Sequence, residues 1–69
     1  GANVQTTAAL NVRDKANTKG GKVLCTQPIG AKGTIVEGPA TQQGYMWWKV
    51  NFDTSCDGWS VQTYLTLTP

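Results

Sequence analysis

The fold class is decided by Tyr45–Phe52, which reads YMWWKVNF. The even-numbered residues of this stretch are all apolar: Met46, Trp48, Val50 and Phe52. Its odd-numbered residues are Tyr45, Trp47, Lys49 and Asn51. Alternation with period two is typical of a half-buried strand, because successive strand side chains point to opposite faces. We therefore expect Trp48 and its even-numbered neighbours in the core, with Tyr45 and Trp47 on the outer face.

Short extended segments continue on both sides of this strand, and no stretch of ten or more residues keeps a helical period. The expected extended segments are 8–13, Val23–Gln27, 34–37, 59–61 and Leu65–Leu67, with a short helical turn at Gln62–Tyr64 before the last. Connections rich in Gly, Pro, Asn and Asp separate them, including loops at 14–22 and 38–44. The sequence predicts one all-β domain over 1–69, in which five to six short antiparallel strands curl into a small barrel that hides its edges.

The supply of large core residues is small for a chain of 69 residues. Val, Leu, Ile and Phe together number thirteen, whereas there are three Trp, two Tyr and eight Gly. A chain of this length buries only about 60% of the surface that its unfolded form exposes. We therefore expect marginal stability and a core that uses aromatic bulk in place of aliphatic bulk.

Composition argues against several functions. The chain has no histidine and one glutamate, so the commonest nucleophilic and acid–base arrangements are absent, and we expect neither an enzyme nor a cofactor. Asp53 and Asp57 lie four apart but lack the further oxygens that a calcium loop needs, so no metal site is expected. No apolar run approaches the roughly 20 residues that cross a bilayer, which predicts no membrane insertion. The lysines are scattered and the net charge is +2, so nucleic acid is not an expected partner.

The two cysteines, Cys25 and Cys56, form an even pair in a small domain. Such a pair favours a disulfide over a metal site or a redox pair, although two free thiols in a cytosolic protein are the alternative. Closing a loop of about 30 residues would restrict the unfolded chain by roughly 3–4 kcal/mol. A disulfide would indicate an oxidising location: extracellular, cell-envelope or periplasmic.

Five short motifs occur in a fixed order: LNVR at Leu10–Arg13, KGT at 32–34, WWKV at 47–50, DGWS at 57–60 and YL at 64–65. In this order and spacing, the chain resembles a bacterial Src-homology-3-like domain over about residues 7–67. The resemblance implies a small barrel that serves as a non-catalytic accessory module of the cell-wall-targeting type, within a larger secreted or envelope protein. It also implies that the turns near Cys25 and Cys56 lie at the same end of the barrel, although typical members lack these cysteines.

The same resemblance indicates where a ligand would bind. Eukaryotic relatives hold proline-rich helices in an aromatic groove, and Trp47 and Tyr64 match two groove positions. Val61 stands where that groove has a proline, and Leu10–Arg13 supplies no tyrosine, so proline-rich recognition is not expected. The expected ligand-binding residues are Tyr45, Trp47, Tyr64, Trp59, Asn11 and Arg13. Flat aromatic rings beside amides can stack on sugar faces or cover short peptides.

We therefore expect a monomeric binding module that anchors a larger protein to cell-wall peptidoglycan, its peptide or another glycan. Alternatives stay open for single residues: Tyr45 and Trp47 could cover the 38–44 loop, Trp59 could pack over the barrel, and Arg13 could pair with an aspartate. The alternative function is a structural or protein-interaction module that packs against a neighbouring domain of the same protein, without a soluble ligand.

Overall fold

A computed structural model describes residues 1–54 and 56–68, which form seven strands and one 3-10 turn. The strands are β1 (Asn3–Thr6), β2 (Leu10–Arg13), β3 (Val23–Gln27), β4 (Lys32–Gln42), β5 (Tyr45–Phe52), β6 (Gly58–Val61) and β7 (Leu65–Leu67). The 3-10 turn, Gln62–Tyr64, joins β6 to β7. The all-β class and the short helical turn before the last strand are confirmed, but the described residues hold seven strands rather than five or six.

The strands form one antiparallel sheet in the order β3-β2-β6-β5-β4-β1-β7. Within the described residues, the edge strands β3 and β7 do not pair with each other, so the sheet is not closed. The Cα atoms span 31 × 20 × 18 Å, which is too thick for a single flat layer. The sheet is therefore strongly curled, as the right-handed twist of strands favours. Full closure into the expected barrel is not seen.

Strand β1 lies before the first extended segment that the sequence predicts. It pairs with β4 on one side and β7 on the other, and Val4 and Thr6 are each 2% exposed. The Thr6 hydroxyl donates to the Pro28 carbonyl at 2.7 Å and accepts from the Ala31 backbone N–H at 2.9 Å. Because β1 reads NVQT, with one apolar residue, its place depends on partners far along the chain and leaves little local signal.

The β4–β5 hairpin extends further than the sequence predicts, because β4 includes most of the expected 38–44 loop. Its turn consists of Gln43 and Gly44, with φ of 55° and 77°. Positive φ at both central residues is the pattern of a type I′ turn, whose twist suits a two-residue hairpin. The β4–β5 register shifts twice, between Ile35 and Glu37 and between Glu37 and Ala40.

These register shifts coincide with a change in which side chains of β5 are buried. Val50 and Phe52 are buried as expected, but Trp47 is 2% exposed and Met46 is 40% exposed. The expectations of an inward Met46 and an outward, exposed Trp47 are therefore wrong. Bulges bend and twist a hairpin locally, so strict alternation does not hold along the whole strand. Trp48 is partly buried and packs against the core.

The core is small and comes from three strands. Its buried cluster is Val4, Val12, Val50 and Phe52. Partly buried apolar side chains pack against it, among them Ile35, Trp48 and Leu65. Leu10 and Trp47 are the other buried apolar residues, and six such side chains provide limited hydrophobic stabilisation, so other constraints matter more in this fold.

A disulfide joins Cys25 on β3 to Cys56 in the β5–β6 connection, with the two Cα atoms 6.5 Å apart. The expected pairing is confirmed, and it links two segments that are 31 residues apart in sequence. A bonded cysteine pair is compatible with an extracellular location. In the described part of the chain, no helix has the length and apolar character to span a membrane.

Candidate functional site

The predicted ligand-binding residues converge on one cleft of about 270 Å³, which we call the tyrosine cleft. Five of the six expected residues line it: Asn11, Arg13, Tyr45, Trp47 and Tyr64. The other lining residues are Ala9, Leu10, Thr18, Val61 and Thr63. Strands β2, β5 and β6, the 3-10 turn and the β2–β3 loop therefore all contribute to its walls.

Two tyrosines give the cleft its accessible aromatic surface. Tyr45 begins β5 beside the hairpin turn and is 48% exposed, whereas Tyr64 ends the 3-10 turn and is 45% exposed. The Tyr64 carbonyl accepts from the Thr7 backbone N–H at 2.9 Å, which ties the turn to the segment after β1. Both rings can contact a ligand without first leaving a packed interior.

Trp47 has a different position from the one the sequence predicts. It lines the cleft although the residue is almost fully buried, and its indole N–H donates to the Gln42 carbonyl at 3.2 Å. Trp47 thus packs against the 38–44 segment, which agrees with the alternative prediction that this residue covers the 38–44 loop. Its contribution to the cleft is a rigid apolar wall, not a free ring.

Arg13 and Asn11 place polar groups on the β2 side of the cleft. The Arg13 guanidinium donates through Nη1 to the Gly21 carbonyl at 3.0 Å. The pairing of Arg13 with an aspartate is not seen among the described residues, whose ion pair joins Lys49 to Glu37. The Asn11 side-chain oxygen accepts from the Thr26 hydroxyl at 2.9 Å, which leaves the amide nitrogen available to donate. An arginine has five N–H donors, so most of those of Arg13 also stay available.

Trp59 is the sixth expected residue, and the structure does not bring it into the tyrosine cleft. It lies on β6 and is partly buried, opposite Arg13 on β2 and opposite Lys49 on β5 in the sheet register. The neighbouring residues of β6, Gly58 and Ser60, are buried, and no room for a large residue exists at Gly58. The position of Trp59 is consistent with packing over the sheet.

One wall of the cleft comes from the β2–β3 loop, which is not among the predicted parts of the site. Thr18 lines the cleft, and both its backbone N–H, at 2.8 Å, and its hydroxyl donate to the Gln43 side-chain oxygen at the β4–β5 turn. Asn17 orders the same loop by accepting from the backbone N–H groups of Lys19 and Gly20. Because Thr18 and Gln43 are 25 residues apart, no local pattern could have revealed this contact.

A second, larger cleft of about 760 Å³ lies between β4 and the edge strand β7, and we call it the apolar cleft. Ile35 and Val36 on β4, Trp48 on β5 and Leu65 and Leu67 on β7 contribute apolar side chains to it. Val36 is 57% exposed and Leu67 is 72% exposed. The Trp48 indole N–H donates to Gln62 at 2.8 Å at its margin.

The groups available in the tyrosine cleft are aromatic ring faces and hydrogen-bond donors. In the described residues, no group of three or more His, Cys, Asp or Glu side chains could hold a metal ion. The tyrosine cleft combines exposed aromatic rings with guanidinium and amide donors, which suits a planar or cyclic ligand that carries oxygen acceptors.

No protein-family model, no curated protein and no solved structure matches this chain.

Proposed function

We propose that this domain is a non-catalytic binding module that anchors a larger secreted or envelope protein to cell-wall peptidoglycan or another glycan through the tyrosine cleft. The single observation that carries the proposal is the convergence of residues from distant parts of the sequence on one cleft. Asn11 and Arg13 from β2 lie there with Tyr45 from β5 and Tyr64 from the 3-10 turn. The resemblance to bacterial Src-homology-3-like domains supports the same proposal, and with it the cell-wall ligand.

The geometry favours a sugar ring over a broad protein surface as the ligand. A cleft of about 270 Å³ lies near the lower limit for small-ligand sites. The two exposed tyrosine rings provide flat apolar surface at low conformational cost, and Asn11 and Arg13 supply donors for hydroxyl or carboxylate oxygens. Trp47 forms part of the cleft wall, and the hydrogen bond from its indole N–H to the Gln42 carbonyl holds its ring in a fixed orientation.

Retention of the purified domain on insoluble peptidoglycan, and separately on cellulose and chitin, tests this function. The variant Tyr45→Ala/Tyr64→Ala should fold normally, because both side chains are about half exposed, and should lose retention at least about tenfold. Ile29→Ala is the matched control, since Ile29 is 70% exposed and lies outside the cleft. If the double tyrosine variant binds as tightly as the wild type, or if no polymer retains the wild type, the proposal is wrong.

The apolar cleft favours a second candidate: a structural or interaction module that packs against a neighbouring domain of the same protein. Exposed apolar residues that surround a cleft often mark a protein contact. Val36→Ser/Leu67→Ser would then reduce the association of this domain with an adjacent domain of its parent protein, without affecting retention on glycans. Glycan binding therefore predicts that retention is lost in the double tyrosine variant and kept in Val36→Ser/Leu67→Ser. Domain packing predicts that association with the adjacent domain is lost in Val36→Ser/Leu67→Ser and kept in the double tyrosine variant.

A further inference from the structure

The cationic side chains of this protein are distributed unevenly. Residues 13–22, which comprise Arg13 and the β2–β3 loop, contain four of the six Lys and Arg residues but one of the four Asp and Glu residues. The cations there are Arg13, Lys15, Lys19 and Lys22. The rest of the chain has two cations and three anions, so the positive charge of the protein is concentrated in this one segment.

These loop cations are not neutralised within the described residues. Lys15, Lys19 and Lys22 are exposed. The ion pair seen among the described residues lies outside the loop and joins Lys49 to Glu37. The loop's one acid, Asp14, accepts from the backbone N–H of Lys22 at 2.7 Å. The charge of the loop is therefore available to a ligand.

The loop is also fixed beside the tyrosine cleft. Arg13 and Thr18 line the cleft, and Lys19 directly follows Thr18, so their Cα atoms are about 3.8 Å apart. Lys19 is thus the sequence neighbour of a residue of the cleft wall, and charges are screened over about 8 Å at physiological ionic strength. The hydrogen bonds from Thr18 to Gln43 hold this wall in place before any ligand arrives, which lowers the ordering cost of binding.

We propose that the tyrosine cleft selects an anionic glycan, one whose sugar units carry carboxylate or phosphate groups; this inference rests on the proposed function. A sugar ring stacks on Tyr45 or Tyr64, and its anionic group faces Arg13 and the β2–β3 loop. Charge complementarity of this kind raises the association rate and excludes cationic partners.

A single-stranded nucleic acid would need a basic groove that follows its backbone over several nucleotides. Here the positive charge lies on one side of a cleft of about 270 Å³, and β4 and the β5–β6 connection carry Glu37, Asp53 and Asp57. An acidic peptide would satisfy the charges, but it would leave the two exposed rings without flat partners. The glycan accounts for both the rings and the charges.

Two variants with equal loss of charge test the inference by titration calorimetry at low salt. Lys19→Gln/Lys22→Gln removes two charges from the loop, and Lys32→Gln/Lys49→Gln removes two from strands β4 and β5. The probes are polygalacturonate, neutral dextran, poly-glutamate and oligo-dT. The loop variant should bind polygalacturonate about tenfold more weakly than the wild type, the strand variant should change affinity by less than about twofold, and high salt should remove the difference.

Several outcomes would overturn the inference, and they differ from failure of the proposed function. Equal weakening by the two variants would show an effect of net charge alone. Equally tight binding of dextran would exclude charge selection while the glycan function stands, and tighter binding of poly-glutamate or oligo-dT would assign the cleft to that polymer. Failure of every polymer, peptidoglycan included, would remove both proposals.

Discussion

Trp47 connects the stability of the fold to the shape of its cleft. The residue is buried, donates to the Gln42 carbonyl and lines the tyrosine cleft. Tyr45 and Tyr64, by contrast, are half exposed and have little to do with the buried core. The aromatic residues of this cleft therefore divide into one buried residue that shapes its wall and two whose rings are accessible.

Trp47→Ala should destabilise the domain strongly. Truncating a buried tryptophan costs about 3–5 kcal/mol, and a domain of this length has roughly 3–10 kcal/mol in total. Urea denaturation should show a much lower midpoint, whereas Trp47→Phe should lose less because it keeps an aromatic ring. An unchanged midpoint for Trp47→Ala would show that the residue is not packed as described.

Gly58→Ala tests the close packing of β6 against β2. A Cβ at Gly58 would lie 2.5 Å from the Arg13 carbonyl oxygen and 2.9 Å from Val12 Cγ1, so β2 and β6 would have to separate. We expect a loss of about 1–3 kcal/mol in the free energy of unfolding. Gly20→Ala is the control, because its Cβ would be 3.9 Å from the nearest atom, and equal stability of the two variants would contradict the β2–β6 packing.

Strand β1 has little local support in the sequence, yet the sheet depends on it. It lies between β4 and β7, and without it β7 would have no partner within the described sheet. Its buried threonine, Thr6, also fixes the turn between β3 and β4 through Pro28 and Ala31. The position of the C-terminal strand thus depends on the first strand.

Thr6→Val should destabilise the domain although it preserves the shape of the side chain. The substitution removes both hydrogen bonds of the Thr6 hydroxyl, and the Ala31 N–H and the Pro28 carbonyl keep only the 3.3 Å hydrogen bond to each other, so we expect a loss of about 1–3 kcal/mol in total. Thermal unfolding should show a lower Tm for Thr6→Val than for Thr7→Val, because Thr7 is exposed. A Tm that does not fall would mean that β1 is not held by Thr6.

The sequence predicts the elements whose residues carry a local pattern. The expected bounds of β3, β5, β7 and the 3-10 turn agree with the structure, because alternating or β-branched residues between turn signals define them. β1 has one apolar residue and its partners are distant, so it could not be predicted. The burial of Trp47 depends on bulges in the facing strand β4, which the alternation in β5 does not encode.

The site was predictable to a similar degree. The sequence predicts six ligand-binding residues, and all of them except Trp59 line one cleft, although Trp47 is buried and not the exposed ring that the sequence predicts. Thr18 was missed because its place depends on the side chain of Gln43. The apolar cleft was missed because it arises where the sheet curls without closing, which is a property of the whole topology.

For the whole molecule, a small core and an unclosed sheet make the disulfide the main covalent constraint. Cys25 and Cys56 bring the edge strand β3 to the connection between β5 and β6. A link across 31 residues limits the unfolded chain more than it changes native contacts. The stability of this protein therefore depends on the redox state of its surroundings.

Reduction, or Cys25→Ser/Cys56→Ser, should lower the free energy of unfolding by roughly 3–4 kcal/mol. Urea denaturation with and without reductant measures the loss, and mass measurement after alkylation reports how many thiols are free. The double serine variant should not respond to reductant. Two alkylated thiols in oxidised, unreduced protein would contradict the bond and remove the main support for an oxidising location.

Amide chemical shifts in a protein of 7.4 kDa show directly whether a glycan binds in the tyrosine cleft. Soluble peptidoglycan fragments and oligogalacturonate would be titrated separately into labelled protein. We expect the shift changes to concentrate at Asn11, Arg13, Tyr45 and Tyr64, with larger changes for oligogalacturonate than for a neutral oligosaccharide. Changes confined to Val36 and the β7 residues of the apolar cleft, or none with any glycan, would contradict this expectation.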